Sequence, residues 1–302
     1  MISVVVCSIN AGLASQLENN ISHTIGVPFE IIILNNNVEK QSINYIYNKG
    51  AGMAKFNTVC FLHEDIIIHT PDWGNKLLNL FTDNPNIGLI GIAGSKYKSK
   101  TNSGWYTNSK DFDCCMITHL DYSGNESKVY LNPEPGSRLQ EVVVLDGVFM
   151  CTRKSVWEEI KFDADLLKGF HFYDIDFSFR VSRKYAAVVS FEIDITHLTM
   201  GGDFGDNWIH HSELWHQKYA DLLPVSCLGI KNSDTRSYEL LVARTWLNLL
   251  MKQKVSYKRR VHWLSNLKFA KAVQMPLDAI KFMIYDLYKL FVVSKPRSKS
   301  TS

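Results

Sequence analysis

The chain has 302 residues, and its 46% hydrophobic content is typical of a soluble protein with a real core, built as one large α/β domain or as a domain with an appendage. No segment approaches the roughly 18 apolar residues of a membrane span, which excludes a membrane-spanning helix. The formal net charge of +3 is unevenly divided: residues 1–230 carry 18 Lys and Arg against 26 Asp and Glu, and residues 231–302 carry 15 against 4.

A basic tail on an acidic body indicates an anionic partner surface, either phospholipid headgroups or nucleic acid. The six cysteines form no CxxC pair, and Cys7, Cys60 and Cys151 lie in apolar runs typical of buried strands, so we expect a reducing compartment. The sequence starts with a strand-like run and has no basic leader. The expected location is therefore the cytoplasm, with the tail at the inner face of the membrane.

The first 92 residues alternate strand and helix signals. Strands are predicted at residues 4–9, 30–34, 59–62 and 87–92, with segments between them that are long enough for helices. Between the second and third strands, apolar residues from Ile43 to Ala54 recur at helical spacing and form a stripe that can cover a parallel sheet. This part of the chain is predicted to be a wound α/β unit.

Further along, residues 95–140 are rich in Lys, Ser, Asn, Gly and Pro, which predicts loops that shape or cover a site. Order is expected to resume with a buried strand at residues 142–150, a short helix from Trp157 and a strand at residues 188–193. From residue 231 the composition becomes helical and basic, and residues 277–291 form one apolar helical stripe. That stripe either docks on the body or lies on a membrane.

The most informative local feature is an acidic cluster at the end of a predicted strand, where Phe61 and Leu62 lead into His63, Glu64 and Asp65. In an open α/β sheet the carboxyl ends of the strands form the ligand crevice, and a hard divalent cation holding a diphosphate suits such an oxygen-rich corner. A surface turn without a metal is the alternative.

Four motifs occur in a fixed order: VVVCSIN at residues 4–10, EIIILNNN at residues 30–37, YNKG at residues 47–50 followed by FLHED at residues 61–65, and DIDFSFR at residues 174–180. Together they resemble the inverting, family-2-like glycosyltransferases with the A-type (GT-A) fold, over roughly residues 2–223. The resemblance implies an α/β fold with a Rossmann-like wound mixed sheet and flanking helices at residues 1–230. Residues 231–302 would then be a basic helical appendage with disordered last residues.

The resemblance implies that Asp65 is the last carboxylate of the family's DxD motif, which holds Mn²⁺ or Mg²⁺ against the nucleotide diphosphate. His63 stands where the first Asp is expected, and His197 is placed to reach the metal from the opposite side. Imidazole ligands favour Mn²⁺ over Mg²⁺. For His197 the alternative is a hydrogen bond to a loop.

The resemblance assigns Asp174 the role of general base, which accepts the proton of the acceptor hydroxyl during a single displacement. Tyr173 replaces the Glu that usually precedes this residue, and a plain helix N-cap is the alternative for Asp174. Asp176 and Arg180 are expected to brace the helix through a salt bridge.

The remaining roles that the resemblance implies concern the two substrates. Nucleotide binding is expected at the ends of the first two strands and in the helix that follows, at Ser8, Ile9, Asn10, Asn35, Asn36, Asn48, Gly50 and Glu64. Acceptor binding is expected at Asp146, Gly147, Phe172 and Tyr173. Helix spacing explains Asn48 and Gly50 equally well by core packing, and Trp157 is either a sugar-stacking residue or core.

The resulting hypothesis is an inverting glycosyltransferase that moves a sugar, with UDP as the expected carrier, to a glycan or lipid-linked acceptor in cell-surface polysaccharide synthesis. The alternative is a non-catalytic nucleotide-sugar-binding or assembly subunit, because His63, Tyr173 and Asn35 replace acids that the family has at these positions. A nucleic-acid partner is not expected, because the acidic body would repel a polyanion.

Overall fold

The computed structural model of the protein describes residues 1–199 and 204–252 and positions 255, 259, 262, 263 and 284. Its strands are β1 Ile2–Ser8, β2 Phe29–Asn35, β3 Thr58–Leu62, β4 Ile66–Ile68, β5 Ile87–Gly91, β6 Ala93–Ser95, β7 Tyr97–Lys98, β8 Asp113–Leu120, β9 Glu126–Leu131, β10 Leu139–Val142, β11 Val144–Leu145, β12 Phe149–Arg153, β13 Ala186–Ser190, β14 Ile195–Leu198 and β15 Val225–Ser226. Its α-helices are α1 Ala11–Thr24, α2 Asn36–Glu39, α3 Ile43–Met53, α4 Trp73–Asp83, α5 Lys154–Glu159, α6 Tyr173–Ser182, α7 Asp206–Lys218 and α8 Asn232–Lys252, and a 3₁₀ turn spans Ala220–Leu222.

The main sheet has seven strands in the order β10-β13-β5-β12-β3-β1-β2. Strands β1, β2 and β3 run parallel, as their apolar, nearly unbroken sequences predict, and β12 runs antiparallel between β3 and β5. Apolar side chains cover both faces of this sheet in two buried clusters. On one face Gly50 of α3 lies directly over Val5 of β1, and a Cβ at Gly50 would stand 2.2 Å from the Val5 side chain. The predicted mixed α/β sheet with flanking helices is confirmed.

A second sheet has the order β11-β6-β8-β14-β4, with β9 paired to β8. The loop prediction for residues 95–140 is therefore wrong in part, because β8 and β9 form an antiparallel hairpin there. Cys115 and Ile117 bury one face of β8 in one core cluster, and Cys114 on the other face belongs to a second. Strand β9 is largely exposed and begins with the polar residues Glu126, Ser127 and Lys128, which hides the strand pattern in the sequence. The single strand predicted at residues 142–150 is divided among β10, β11 and β12 by a turn at Asp146 and Gly147.

Helix α8 packs on the body. Its residues Val242, Trp246 and Leu250 belong to one buried cluster with α6 and α7. The fully buried Glu239 carboxylate accepts hydrogen bonds from the Tyr97 and Ser99 hydroxyls and from the backbone N–H of Lys100. The start of the segment predicted as an appendage is thus part of the same folded unit.

Apart from position 284, where Ile284 is exposed, the apolar stripe predicted at residues 277–291 lies outside the described residues. Every helix in the described ranges is too short or too polar to cross a bilayer.

Candidate active site

Two sheets meet where the chain leaves β3 and enters β4, and this junction holds the predicted metal ligands. His63 and Asp65 lie in the short link between the strands, and the His63 N–H donates to the carbonyl of Val148 beside β12. Strand β14 pairs antiparallel with β4, which places His197 opposite Ile66 and next to Asp65. The sheet topology thus brings together residues that are more than 130 positions apart.

The three side chains form a compact donor group, with one ligand atom from each within 4.8 Å of the others. Asp65 Oδ1 lies 3.4 Å from His197 Nε2 and 3.9 Å from His63 Nδ1. The other ring nitrogen of His63, Nε2, is hydrogen-bonded to the Tyr173 hydroxyl at 2.7 Å. Tyr173 therefore fixes the ring so that Nδ1 faces the group, as outer partners of histidine ligands do.

The surroundings of Asp65 and His63 favour the protonation states that a cation needs. Burial raises the pKa of Asp65, but the hydrogen bond and charge of His197 and the charge of His63 outweigh it and leave the pKa below its usual value. Burial and the neighbouring His197 lower the pKa of His63, against the opposing charge of Asp65. An ionised carboxylate beside a neutral imidazole is a ready ligand set.

Two imidazoles and one carboxylate fit a divalent cation with nitrogen affinity, such as Mn²⁺, better than Mg²⁺, which prefers an all-oxygen shell. The open side of the group faces a large cavity, so further positions remain for a ligand such as a diphosphate. The donor set therefore fits the expected metal.

Asp174 lies in the first turn of α6, which packs on β5, β11 and β13. Its Oδ2 accepts a hydrogen bond of 3.0 Å from the backbone N–H of Gly147. Asp146, in the same turn, accepts from Val148 N–H through Oδ1 and from Trp105 Nε1 through Oδ2 at 2.7 Å. Two carboxyl groups thus converge on the turn between β11 and β12.

Burial, followed by the negative charge of Asp146, raises the pKa of Asp174 to about 7. A carboxyl group with such a pKa exchanges protons near neutral pH, which is the property required of a general base.

The fit between the turn and α6 depends on a glycine. A Cβ at Gly147 would lie 2.0 Å from the Tyr173 hydroxyl and 2.9 Å from Asp174 Cβ. We expect Gly147→Ala to displace Tyr173 from His63, to cost about 1–3 kcal/mol of folding stability through overpacking, and to weaken Mn²⁺ binding. Thermal unfolding and Mn²⁺ titration measure these effects.

Gly52→Ala is the matched control for that substitution. Gly52 lies in helix α3, and no atom stands within 4 Å of its added Cβ. The control is expected to raise stability by about 0.5–1 kcal/mol through helix propensity and to leave Mn²⁺ binding unchanged. Equal loss of Mn²⁺ binding in both variants would contradict the role given to Gly147.

The predicted nucleotide loop after β1 is held by Glu64. Its carboxylate accepts from the Ser8 hydroxyl at 2.6 Å and from the backbone N–H groups of Ile9 and Asn10. The side chain of Asn10 caps α1 by accepting from Gly12 and Leu13. The Glu64 carboxylate therefore holds the loop after β1, whereas the sequence predicted that Glu64 contacts the nucleotide. Ile9, in the same loop, is 65% exposed.

After β2, the Asn35 carboxamide oxygen caps the short helix α2, and both ends of the Asn36 carboxamide bond to the backbone of Gln41. The Asn37 side chain donates to the carbonyl of Ile9, which joins the loops after β1 and β2. These loops form one edge of the crevice, as parallel strands predict.

Two predicted nucleotide residues have structural contacts instead. Asn48 donates to the Phe162 carbonyl and accepts from Phe162 N–H and from Trp157 Nε1, so its carboxamide holds the segment after α5. Gly50 serves helix–sheet packing over Val5. Trp157 is 5% exposed and belongs to the core.

The predicted brace between Asp176 and Arg180 is present, with Arg180 Nε donating to Asp176 at 2.7 Å and Tyr219 donating to the second oxygen.

A cavity of about 1170 Å³ connects the donor group to Asp174. It contains His63, Asp65, His197, Asp146, Gly147, Phe172, Tyr173 and Asp174 among its lining residues. Phe172 and Tyr173 are only 2% and 3% exposed, so they shape the floor of the cavity and offer little surface to an acceptor.

Part of the remaining wall comes from Trp105 and the β8–β9 hairpin, which lie within residues 95–140, the segment predicted to shape or cover a site. The contribution of Trp246 and Leu249 of α8 was not predicted, because the sequence pattern alone placed that helix in an appendage.

Comparisons with known proteins identify the family and the fold. Residues 3–219 match the family described as "Glycosyltransferase like family". The crystal structure of GalNAc-T7 with UDP, GalNAc and Mn²⁺ shares the fold with a TM-score of 0.50 and 11% identity, and the match covers 73% of this chain and 50% of that chain. The structure of S. aureus TarS 1–349 gives a TM-score of 0.54 and 12% identity, with 96% of this chain and 85% of that chain covered.

No curated protein matches the sequence. The family match covers well over half of the chain, and both solved structures are GT-A glycosyltransferases. The chain therefore belongs to the glycosyltransferase-like family and has the GT-A fold.

Proposed function

We propose that the protein is an inverting glycosyltransferase that moves a sugar from a UDP-sugar to a glycan or lipid-linked acceptor. The observation that carries the proposal is one cavity with two chemically distinct ends. A divalent-cation donor group lies at one end, and Asp174, with a pKa of about 7, lies at the other.

His63, Asp65 and His197 would hold Mn²⁺ against the diphosphate of the donor. When bound, the cation stabilises the negative charge that develops on the leaving diphosphate. The loops after β1 and β2 would hold the nucleoside, with Ser8, Ile9 and Asn10 on one side and Asn35 and Asn36 on the other. GalNAc-T7, which shares the fold, was crystallised with UDP and Mn²⁺, and this supports UDP as the carrier.

Asp174 acts on the acceptor. Its carboxylate accepts the proton of the acceptor hydroxyl while that oxygen forms a bond to the anomeric carbon and the bond to the nucleoside diphosphate breaks. Attack on the face opposite the leaving group inverts the anomeric configuration. The backbone N–H of Gly147 keeps the carboxyl group oriented, and Asp146 keeps its proton affinity high.

The non-catalytic alternative was based on departures from the expected acids. Two of them have a joint purpose in this structure, since His63 offers a ring nitrogen to the donor group and Tyr173 holds that ring at 2.7 Å. This pairing favours a functional site that binds its metal partly through nitrogen ligands over a site that has lost its function.

The deciding experiment is calorimetric titration of UDP into the full chain with and without Mn²⁺, followed by a screen of UDP-sugars for transfer. We expect Mn²⁺-dependent binding and an inverted anomeric configuration in the product. Binding of UDP without transfer to any acceptor would favour the non-catalytic alternative, and absence of UDP binding would contradict the proposed carrier.

We further propose that the basic tail holds the enzyme at an anionic membrane, as expected for cell-surface polysaccharide synthesis on lipid-linked acceptors. Deletion of residues 276–302 is expected to abolish co-sedimentation with vesicles containing phosphatidylserine and to leave UDP binding intact. Unchanged co-sedimentation of the shortened chain would contradict the membrane role.

A further inference from the structure

The cavity is larger than the reaction centre needs. Its volume of about 1170 Å³ lies above the roughly 300–1000 Å³ of an ordinary small-molecule pocket. The nucleotide loops after β1 and β2 do not contribute to its lining in the described part of the chain. With the nucleoside expected outside this cavity, its volume is available to the donor sugar and the acceptor, and it is large enough for more than one acceptor ring.

Acidic side chains dominate the charge of the described cavity wall. Five carboxylates line the cavity, and no Lys or Arg does so among the residues that the structure describes. Besides the three acids already discussed, the set contains Asp121 and Glu126, which lie at the turn end of the β8–β9 hairpin. Away from the metal position, a phosphate, sulfate or carboxylate group on the acceptor would lose water there without gaining a Lys or Arg side chain of the described wall as partner.

Four histidines also line the cavity in the described part of the chain. His63 and His197 face Asp65 and the metal position. His119 lies beside His197 in the cavity wall, with the ring centroids 5.9 Å apart. His171 packs its ring against Phe170 and His211.

Aromatic rings in the same cavity offer flat apolar surfaces. Trp208 and Trp246 stack at 4.6 Å with an interplanar angle of 5°, and both contact the ring of Phe204 in the cavity wall, which Trp105 also lines. Phe170 is 55% exposed at the same cavity. Ring faces bind the C–H faces of sugars, and nearby carboxylates accept hydrogen bonds from hydroxyl groups.

We propose that the acceptor is a glycan of at least two sugar rings that carries no anionic group, and that the acidic wall excludes glycans bearing phosphate, sulfate or carboxylate groups near the reacting hydroxyl. The proposal rests on the proposed glycosyltransferase function and specifies the acceptor class of the same cavity.

The test uses the full chain loaded with UDP and Mn²⁺ on an array of neutral oligosaccharides and matched glycans with one hydroxymethyl group oxidised to a carboxylate. At 50 mM salt we expect the best neutral ligands to bind at least about tenfold more tightly than their oxidised partners, and the preference to shrink at 500 mM salt. Equal or tighter binding of the oxidised glycans would overturn the proposal.

Two variants separate charge from stacking. Glu126→Lys changes an exposed hairpin residue and is expected to reduce the neutral preference to below about threefold, whereas Glu18→Lys on the exposed face of α1 leaves it unchanged. Phe170→Ala is expected to weaken neutral binding at least about fivefold, with Tyr45→Ala as the exposed aromatic control.

The titration of UDP distinguishes the two levels of failure. If UDP and Mn²⁺ bind but neither class of glycan does, the acceptor proposal fails while the donor site stands. If UDP does not bind, the proposed function fails and the acceptor class fails with it.

Discussion

Asp174→Asn is expected to lower kcat about a thousandfold, because an amide cannot accept the proton of the acceptor hydroxyl, and general bases contribute about 10²–10⁴ in rate. The fold should persist, since the amide oxygen can still accept from Gly147 N–H. Mn²⁺-dependent UDP binding should be unchanged, because Asp174 is not part of the donor group. Steady-state transfer and UDP titration of the same preparation measure both, and undiminished transfer would remove Asp174 from the mechanism.

The pH dependence gives an independent check on the same residue. Only the ionised carboxylate is a base, so kcat/KM of the wild type should fall about tenfold for each pH unit below the Asp174 pKa of about 7. Asp146→Asn removes the neighbouring negative charge and should shift this fall in kcat/KM to lower pH. A fall at the same pH as in the wild type would show that the charge of Asp146 does not raise the Asp174 pKa.

The ionisation of Asp174 also makes the folding stability depend on pH. The folded-state pKa of Asp174 is raised from its ordinary value of 3.8 to about 7, so the folded state binds the proton more tightly than the unfolded state. Wild-type stability from this group is therefore lost as pH rises from about 4 to 7. Asparagine at position 174 does not titrate, so the melting temperature of Asp174→Asn should rise relative to that of the wild type as the pH increases over this range.

Asp65→Asn is expected to weaken Mn²⁺-dependent UDP binding at least about a hundredfold and to abolish transfer. It replaces the only carboxylate of the donor group, and asparagine is a weaker ligand without charge. Titration of UDP at fixed Mn²⁺ measures the loss. Glu126→Gln is the matched control, since it changes a carboxylate of the same cavity outside the donor group, and it should bind UDP like the wild type.

Tyr173→Phe tests the donor group with a smaller change than Asp65→Asn. It removes only the hydroxyl that lies 2.7 Å from His63 Nε2, so the His63 ring is freed while the core contact is retained. Loss of such an outer partner commonly costs about 10–100-fold in metal affinity. Mn²⁺ affinity equal to that of the wild type would mean that the core alone orients His63.

The fold could be predicted where the signal was local. Strands β1, β2 and β3 are apolar and continuous because both faces of their sheet are covered, and the stripe on α3 has the helical period. The β8–β9 hairpin was missed because β9 is largely exposed and its first three residues are polar. The attachment of α8 was missed because Glu239 bonds to residues about 140 positions away, for which no local pattern exists.

In the candidate site, too, residues with a local sequence signal could be predicted, whereas contacts between distant parts of the chain could not. Asp65 and Asp174 were named from motifs that lie at strand and helix ends, and the sheet topology brings both to one cavity. The link between His63 and Tyr173 spans 110 residues and depends on the absence of a side chain at Gly147. For Asn48 the sequence left nucleotide binding and packing equally open, because a polar residue on a helix has the same appearance whether it binds a ligand or holds a loop; its carboxamide holds the segment after α5.

The attachment of α8 also determines when the enzyme becomes complete during its synthesis. Chains emerge from the ribosome N-terminus first, so both ends of the reaction centre, Asp65 and Asp174, are made well before Glu239 and Trp246. A chain that ends near residue 230 would hold every proposed donor ligand and the base, yet its cavity would be open to water on the Trp246 side. Water exclusion from the proposed site therefore depends on residues that are synthesised after the proposed ligands and base.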